Sequence, residues 1–292
     1  MEKSKVYFTK EITGESIVKM YKKLGKELTG KIAIKIHSGE EGNQNYIGPE
    51  YMKPIIEYTK GTIVECNTAY PGERTNNEDH DRLMERHGWS KYFDVDIMDR
   101  EGDKEVEIPN GKVIKKNYLG THIDNYDSML VISHFKGHPM GGFGGALKQL
   151  SIGCASRKGK AYIHGAGTTD DPDYVWSNLP EQDKFLESMA DAASSVVNMF
   201  KDNILFINIM KNMSVDCDCC AEAEDPCLKD IGILASTDPV AIDKACIDLV
   251  KKSNDEGREH FLERVTSRHG EHTIEAANEL GFGTIEYELI EL

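Results

Sequence analysis

No apolar run in the 292 residues approaches the roughly 18 that a helix needs to cross a bilayer. The N-terminal stretch MEKSKVYFTKEITGES lacks the apolar core of a secretory signal. Both absences point to a cytoplasmic protein with no membrane partner. Positive charge is scarce too: 35 lysines and arginines stand against 50 aspartates and glutamates, a formal net charge of -15. Nucleic acids and anionic lipids require a basic face, so neither is expected as a partner. Familiar catalytic signatures are also missing. The main glycine-rich loop ends in no G-K-[ST] of a Walker motif, and it follows a late strand with the wrong spacing for a dinucleotide fingerprint. No G-x-S-x-G marks a nucleophile elbow. Repeats and low-complexity linkers are absent, so residues 1–292 read as one α/β domain.

What is present is an alternation of strand-like and helix-like stretches. Strands are expected near 5–9, 31–37, 62–66, 95–99, 128–134, 203–210, 230–235 and 284–289. Helices are expected near 15–28, 49–59, 76–87, 144–152, 184–200, 256–268 and 273–280, and Asp238-Pro239 opens the best-marked helix as N-cap and first turn. Residues 161–173 read as a loop rich in glycine and aspartate. The alternating residues around Asn110-Gly111 predict a β-hairpin excursion at 105–115. The expected fold class is therefore α/β, a mostly parallel sheet flanked by helices on both faces. Ligands in such sheets bind beyond the carboxyl ends of the strands. Those ends fall at His37, Cys66-Asn67, His134, Met210 and Ala235-Ser236, so the features that follow them should gather at one edge.

Seven cysteines, an odd number, do not suggest a disulfide framework in a reducing compartment. Four of them crowd into SVDCDCCAEAEDPC. In extended backbone Cys217 and Cys219 point the same way, and Cys220 and Cys227 could add two more thiolates after the turn at Asp225-Pro226. Thiolates suit zinc, copper(I) or an iron–sulfur cluster. Redox chemistry and unliganded free thiols are the other readings. The spacing is neither the paired C-x2-C of zinc ribbons nor the ferredoxin run. Cys66 reads as a buried strand residue and Cys246 as core.

The second concentration is SHFKGHPMGGFGGALKQLSIGCASRKGK. His134 and His138 flank Lys136 directly after a strand. Gly141, Gly142, Gly144 and Gly145 would let a ligand approach the backbone, and the loop feeds a helix whose N-terminus attracts anions. Lys148 would reinforce that pull. A phosphate- or carboxylate-bearing small molecule is one reading, and tight packing is the other. Cys154 and His164 flank the far side. His37 stands alone at a strand end, and Glu40 and Glu41 read as solvated loop charges.

Together these motifs resemble the domain of unknown function 362 family, described as iron–sulfur-associated proteins of bacteria and archaea. The matching pieces are the long glycine-loop stretch, His164, DCDC and DIGILASTDPVAIDKACIDL, with KIAIKIH at the opening. The resemblance covers nearly the whole chain. Many similar members carry inserted ferredoxin-type cluster motifs after the position matching His164. Here the corresponding AGTTDDPDYVWSNLPEQDK has no cysteine, so an electron-transfer role built on those clusters does not carry over.

The leading expectation is a metal- or iron–sulfur-binding oxidoreductase or cluster-dependent enzyme acting on a small anionic molecule, with a redox partner protein as a further possibility. Cys217 and Cys219 would ligate the metal, with Cys220, Cys227 or Cys154. His134, Lys136 and His138 would be catalytic, and the glycines with Lys148 would hold the ligand. The rivals are a non-redox zinc enzyme and a metal-binding module without turnover. Oligomeric state, and whether the histidines and thiols share one site, stay open.

Overall fold

The computed structural model describes residues 3–292. In chain order the strands are β1 (Ser4–Thr9), β2 (Ile32–Lys35), β3 (Thr62–Glu65), β4 (Val95–Ile97), β5 (Asp103–Glu107), β6 (Lys116–Gly120), β7 (Ser128–His134), β8 (Lys136–His138), β9 (Gly142–Gly144), β10 (Ile204–Met210), β11 (Gly232–Ser236) and β12 (Tyr287–Glu291). The helices are α1 (Gly14–Lys23), α2 (Pro49–Thr59), α3 (Asn77–Arg86), α4 (Trp89–Tyr92), α5 (Ala146–Lys148), α6 (Arg157–His164), α7 (Gln182–Phe200), α8 (Pro239–Lys252), α9 (Arg258–Ser267) and α10 (His272–Leu280).

β7 and β10 read as unbroken apolar runs because helices cover both of their faces, and every residue of either strand is buried. The two-residue repeat then sends neighbours to opposite sides. Leu130, Ile132, Leu205 and Ile207 join one core with Ile17 of α1 and Met52 of α2. Met129, Val131, Ile204 and Phe206 join the other with Val196 of α7 and Val240 of α8. The result is one eight-stranded sheet in the order β12-β1-β11-β10-β7-β2-β3-β4. β11 pairs antiparallel with both β1 and β10, and every other neighbouring pair is parallel. This is the mostly parallel α/β sheet that the sequence implies. Among the described residues no helix is long and apolar enough to cross a membrane. Asp238 caps α8 as expected, accepting the amides of Val240 and Ala241 at 2.9 and 3.0 Å.

Several segments depart from expectation. The hairpin excursion exists, but its strands lie further out, from Asp103 opposite Gly120 to Glu107 opposite Lys116. Asn110-Gly111 falls in the connection. There Asp191 of α7 takes the amides of Lys112, Val113 and Ile114 at 2.7, 2.7 and 2.9 Å. Those N–H groups are committed to a carboxylate, so the strands cannot zip down to a two-residue turn. The first four residues of the loop expected at 161–173 belong instead to α6, whose N-cap Ser156 accepts the Gly159 amide at 3.1 Å. Gly159 obscures this helix because it lowers helix propensity. A Cβ there would lie 2.1 Å from the Tyr118 carbonyl oxygen, so the glycine is required by packing. Finally, the helix expected at 144–152 is the short α5 followed by a π-turn over Gln149–Gly153.

Removing the Asp191 carboxylate strands three amides at once. Asp191→Ala should lower stability by about 3 kcal/mol, read as a shifted midpoint in chemical denaturation. A midpoint equal to wild type would mean that water satisfies these amides.

Candidate functional site

β2, β3, β7 and β10 bring their carboxyl ends to one edge, because β7 lies between β10 and β2 and all four run parallel. The strand end at Ser236 does not join them. β11 is antiparallel to β10, so its carboxyl end lies at the opposite edge. At the shared edge, charged side chains are buried rather than solvated. Lys35 is fully buried and donates to Glu65 at 2.6 Å and to the Ile36 carbonyl at 2.5 Å. Glu65 also accepts the Ser38 amide at 2.9 Å and faces Arg74 at 3.6 Å. Glu40, expected in solvent, is buried with Arg74 Nε 3.3 Å away. Glu41 is exposed, as expected.

Asp218 is the matching anion on the other side. It accepts from His134 Nδ1 at 2.8 Å and Lys136 Nζ at 2.7 Å. His134 Nε2 faces the Lys211 carbonyl at 2.6 Å. Both ring nitrogens thus face oxygen atoms. Burial opposes ionisation of Asp218, but His134 and Lys136 hold its carboxyl well below the usual range. Burial likewise opposes ionisation of Glu65, and Lys35 holds it down.

Asp218 sits between the two central cysteines. The ligand atoms of His138, Cys217 and Cys219 all lie within 4.8 Å of one another, a group that could hold a metal ion. Burial disfavours a charge on Cys217, yet the Cys219 thiol donates to it and Lys148 and Lys136 stand near, so its pKa falls well below the thiol range. Lys148 Nζ lies 3.7 Å from Cys217 Sγ. Cys219, which supplies its hydrogen to Cys217, is raised correspondingly. The polar loop after β2 holds this irregular segment in place. Asn43 donates to the carbonyls of Cys217 and Cys220 at 3.3 and 2.8 Å, and Asn45 to that of Glu224 at 2.8 Å. Cys154 and Cys227 do not join the group. Cys154 is buried against Met129, Cys227 lies beside the Met213 carbonyl, and burial pushes each thiol up to about 11. Cys220 adjoins Cys219.

The glycine loop folds as the β8–β9 hairpin, and its glycines face protein. Gly142 has φ +79° and packs against Gly270, and a Cβ on Gly145 would lie 2.3 Å from an Asp243 carboxylate oxygen. Asp243 also takes the amides of Ala146 and Leu147 at 2.8 and 2.9 Å. The anion expected at this helix start is therefore the protein's own carboxylate. Gly141, Gly142, Gly144 and Gly145 serve close packing here, and Lys148 alone of that set reaches the cavity described next. The Gly141 amide has a further use. With that of Met140 it donates to His138 Nδ1, at 2.8 and 3.1 Å, which leaves the hydrogen of the neutral ring on Nε2, 3.9 Å from Cys219 Sγ.

A cavity of about 250 Å³ opens beside these groups. His37, His138, His164 and Cys219 all line it, together with Arg74, Lys148 and Lys160. His134 and Lys136 do not, being turned to Asp218. Burial drives His37 down to about 4, with Arg74 adding to the shift, and drives His164 down to about 3.

A family model, the domain of unknown function DUF362, matches residues 32–248. The chain belongs to the DUF362 family. No curated protein is similar to this DUF362 chain in sequence. Among solved structures, the apoprotein of lactate racemase from Thermoanaerobacterium thermosaccharolyticum is 14 % identical over 70 % of this chain and 50 % of its own, with a TM-score of 0.41. A Thermotoga maritima protein is 12 % identical over 91 % of this chain and 58 % of its own, with a TM-score of 0.42. The DUF362 chain thus spans 50 % and 58 % of the lengths of these two structures.

Sequence reasoning missed Lys35, Glu65, Arg74 and Lys160. A signal existed for two of them: Lys35 and Glu65 each put a charge at the end of an apolar strand, where a sheet covered on both faces offers no solvent. The Lys35–Glu65 pair makes a test. Glu65→Gln leaves a buried ammonium without its anion and should cost about 3 kcal/mol at pH 7. Because the folded carboxyl titrates below the unfolded value of about 4.3, its contribution is complete above that pH and fades as pH falls through it. Denaturation of both proteins should show the gap narrowing below about pH 4. A gap that stays constant down to pH 3 would mean that folding does not lower the Glu65 carboxyl.

Proposed function

We propose that this DUF362 protein is a metal-dependent enzyme, with the ion held by the thiolates of Cys217 and Cys219 and a small anionic substrate in the adjoining cavity. One observation carries the reading. The donors of His138, Cys217 and Cys219 lie within 4.8 Å of one another, and His138 and Cys219 also line the cavity. A few protein donors with a face left open to a cavity is the pattern of catalytic metal sites, whereas structural sites are closed by four. Two thiolates suit zinc or another soft ion. When bound, the ion would supply Lewis-acid polarisation of a substrate oxygen.

His138 has a distinct part in this reading. While Nδ1 accepts two amides, Nε2 keeps its hydrogen, so the ring donates toward Cys219 or a ligand, and it could ligate through Nε2 only by losing that hydrogen. His134 and Lys136 act indirectly by fixing Asp218 between the cysteines. Arg74, Lys148 and Lys160 on the cavity wall support an anion as the substrate. An iron–sulfur cluster with a redox partner finds less support. Of the other thiols proposed as ligands, only Cys220 adjoins the pair, while Cys154 and Cys227 lie apart with raised pKa values.

The test is elemental analysis and an absorption spectrum on anaerobically purified protein. Wild type should carry about one ion per chain. The double variant Cys217→Ser, Cys219→Ser should lose it, and Cys154→Ser with Cys227→Ser should keep it. Iron with acid-labile sulfide would replace the single ion by a cluster. Full retention of metal in the first double variant would sink the assignment.

A further inference from the structure

We propose that the α6 wall of the cavity binds a small hydroxycarboxylate, its carboxylate against Lys160 and its hydroxyl against His164 Nε2. The inference names the substrate class of the cavity invoked above, so it rests on that cavity being the substrate's, but it does not depend on the metal.

Three buried lysines near the cavity differ in one respect. Lys35 and Lys136 have carboxylate partners at 2.6 and 2.7 Å. Lys160 is 6 % exposed, and its one hydrogen-bond partner is the Ala155 carbonyl at 2.6 Å. Among the described residues no carboxylate oxygen lies within 4.0 Å of it. A buried ammonium satisfied only by a neutral carbonyl is electrostatically incomplete, and burial pulls its pKa down accordingly. An anion in the cavity would complete it. Lys148 is the second cavity lysine without a carboxylate partner; its contact is Cys217 Sγ at 3.7 Å.

His164 lies one helical turn on, so both side chains leave the same face of α6. Its Nδ1 is 2.7 Å from the Lys160 carbonyl oxygen. A carbonyl only accepts, so the hydrogen is on Nδ1 and Nε2 presents a bare lone pair. Nε2 has no hydrogen-bond partner among the described residues. The ring is held between Trp176 and Phe185, each with its centroid 5.1 Å away. A ligand must therefore bring an anion and a hydrogen-bond donor together. An ammonium donor would meet Lys160, Lys148 and Arg74, all of like charge, so a hydroxyl fits and an amino group does not. The cavity has a volume of about 250 Å³. That suits a short-chain acid, with Ala69, Ile152 and Trp176 as its apolar contacts.

The test is calorimetric titration of the full, chelator-treated chain with α-hydroxybutyrate, butyrate and α-aminobutyrate, which share one carbon skeleton. α-Hydroxybutyrate should bind tightest, butyrate about tenfold more weakly for want of the donor to Nε2, and α-aminobutyrate more weakly than either. His164→Phe keeps the stacked ring and should bind α-hydroxybutyrate and butyrate alike. Lys160→Met should lose all three. Equal affinity of wild type for the first two acids, no binding of any, or unaltered binding by Lys160→Met would overturn the proposal. The comparison of acids on wild type needs no variant to fold. Metal is stripped throughout, so failure here leaves the thiolate site standing, and loss of the thiolate reading leaves this one testable.

Discussion

Asp218 is buried at the centre of a loop that has no regular secondary structure, and the placement of both cysteines depends on it. A carboxylate in that position costs several kcal/mol of desolvation unless cations meet it. His134 and Lys136 do so from the end of β7 and from β8, at 2.8 and 2.7 Å. Without Asp218 in this position, Lys136 would be buried without its carboxylate partner. The flanking residues Cys217 and Cys219 are carried along, and the Asp218 carbonyl accepts the Glu40 amide at 2.8 Å, which ties in the loop after β2. The two thiols therefore meet His138 because of an ion pair made by residues that do not themselves line the cavity.

This also explains what could and could not be read from the chain. The strands from residue 128 and the helix after Asp238 were legible because periodicity and capping are local signals. The convergence of His37, His138 and Cys219 followed from parallel strands, apart from the end of β11, whose direction no local signal reports. Buried charge is legible only at the strand ends, where Lys35 and Glu65 stand, and not in the loops. A charged loop residue such as Glu40 is usually solvated, and Lys35 is enclosed in the apolar run KIAIKIH. Each is buried with a partner distant in sequence, Glu40 with Arg74 and Lys35 with Glu65. Residue type alone does not announce such pairs. Cys154 and Cys227 share residue type with the cluster, but the fold turns them to the core and to the Met213 carbonyl.

The glycine loop shows correct electrostatics with the wrong source of charge. A helix start attracts an anion whatever molecule supplies it. Here Asp243, projecting from α8, fills the position, and Asn208 of β10 donates to it at 2.7 Å. The lack of side chains at these glycines admits neighbouring protein: Gly145 meets Asp243, and Gly142 meets Gly270. A glycine-rich loop reports close approach, and the sequence around it does not say whether the visitor is ligand or backbone.

The cavity then inverts the charge of the molecule that contains it. The chain carries a formal -15, yet the wall shared by Arg74, Lys148 and Lys160 has Glu65 as its one carboxylate, and Glu65 is engaged by Lys35 and Arg74. Low-dielectric walls concentrate such a field, so an anion that reaches the cavity is held far more strongly than it would be on the surface. The acidic exterior repels anions at long range but is screened within a Debye length of about 8 Å at physiological salt. In the proposed reading, selection is made inside. A neutral molecule leaves Lys160 without a counter-charge, and a cation adds to an excess already present. A small anion satisfies the lysine that the fold itself leaves without a carboxylate.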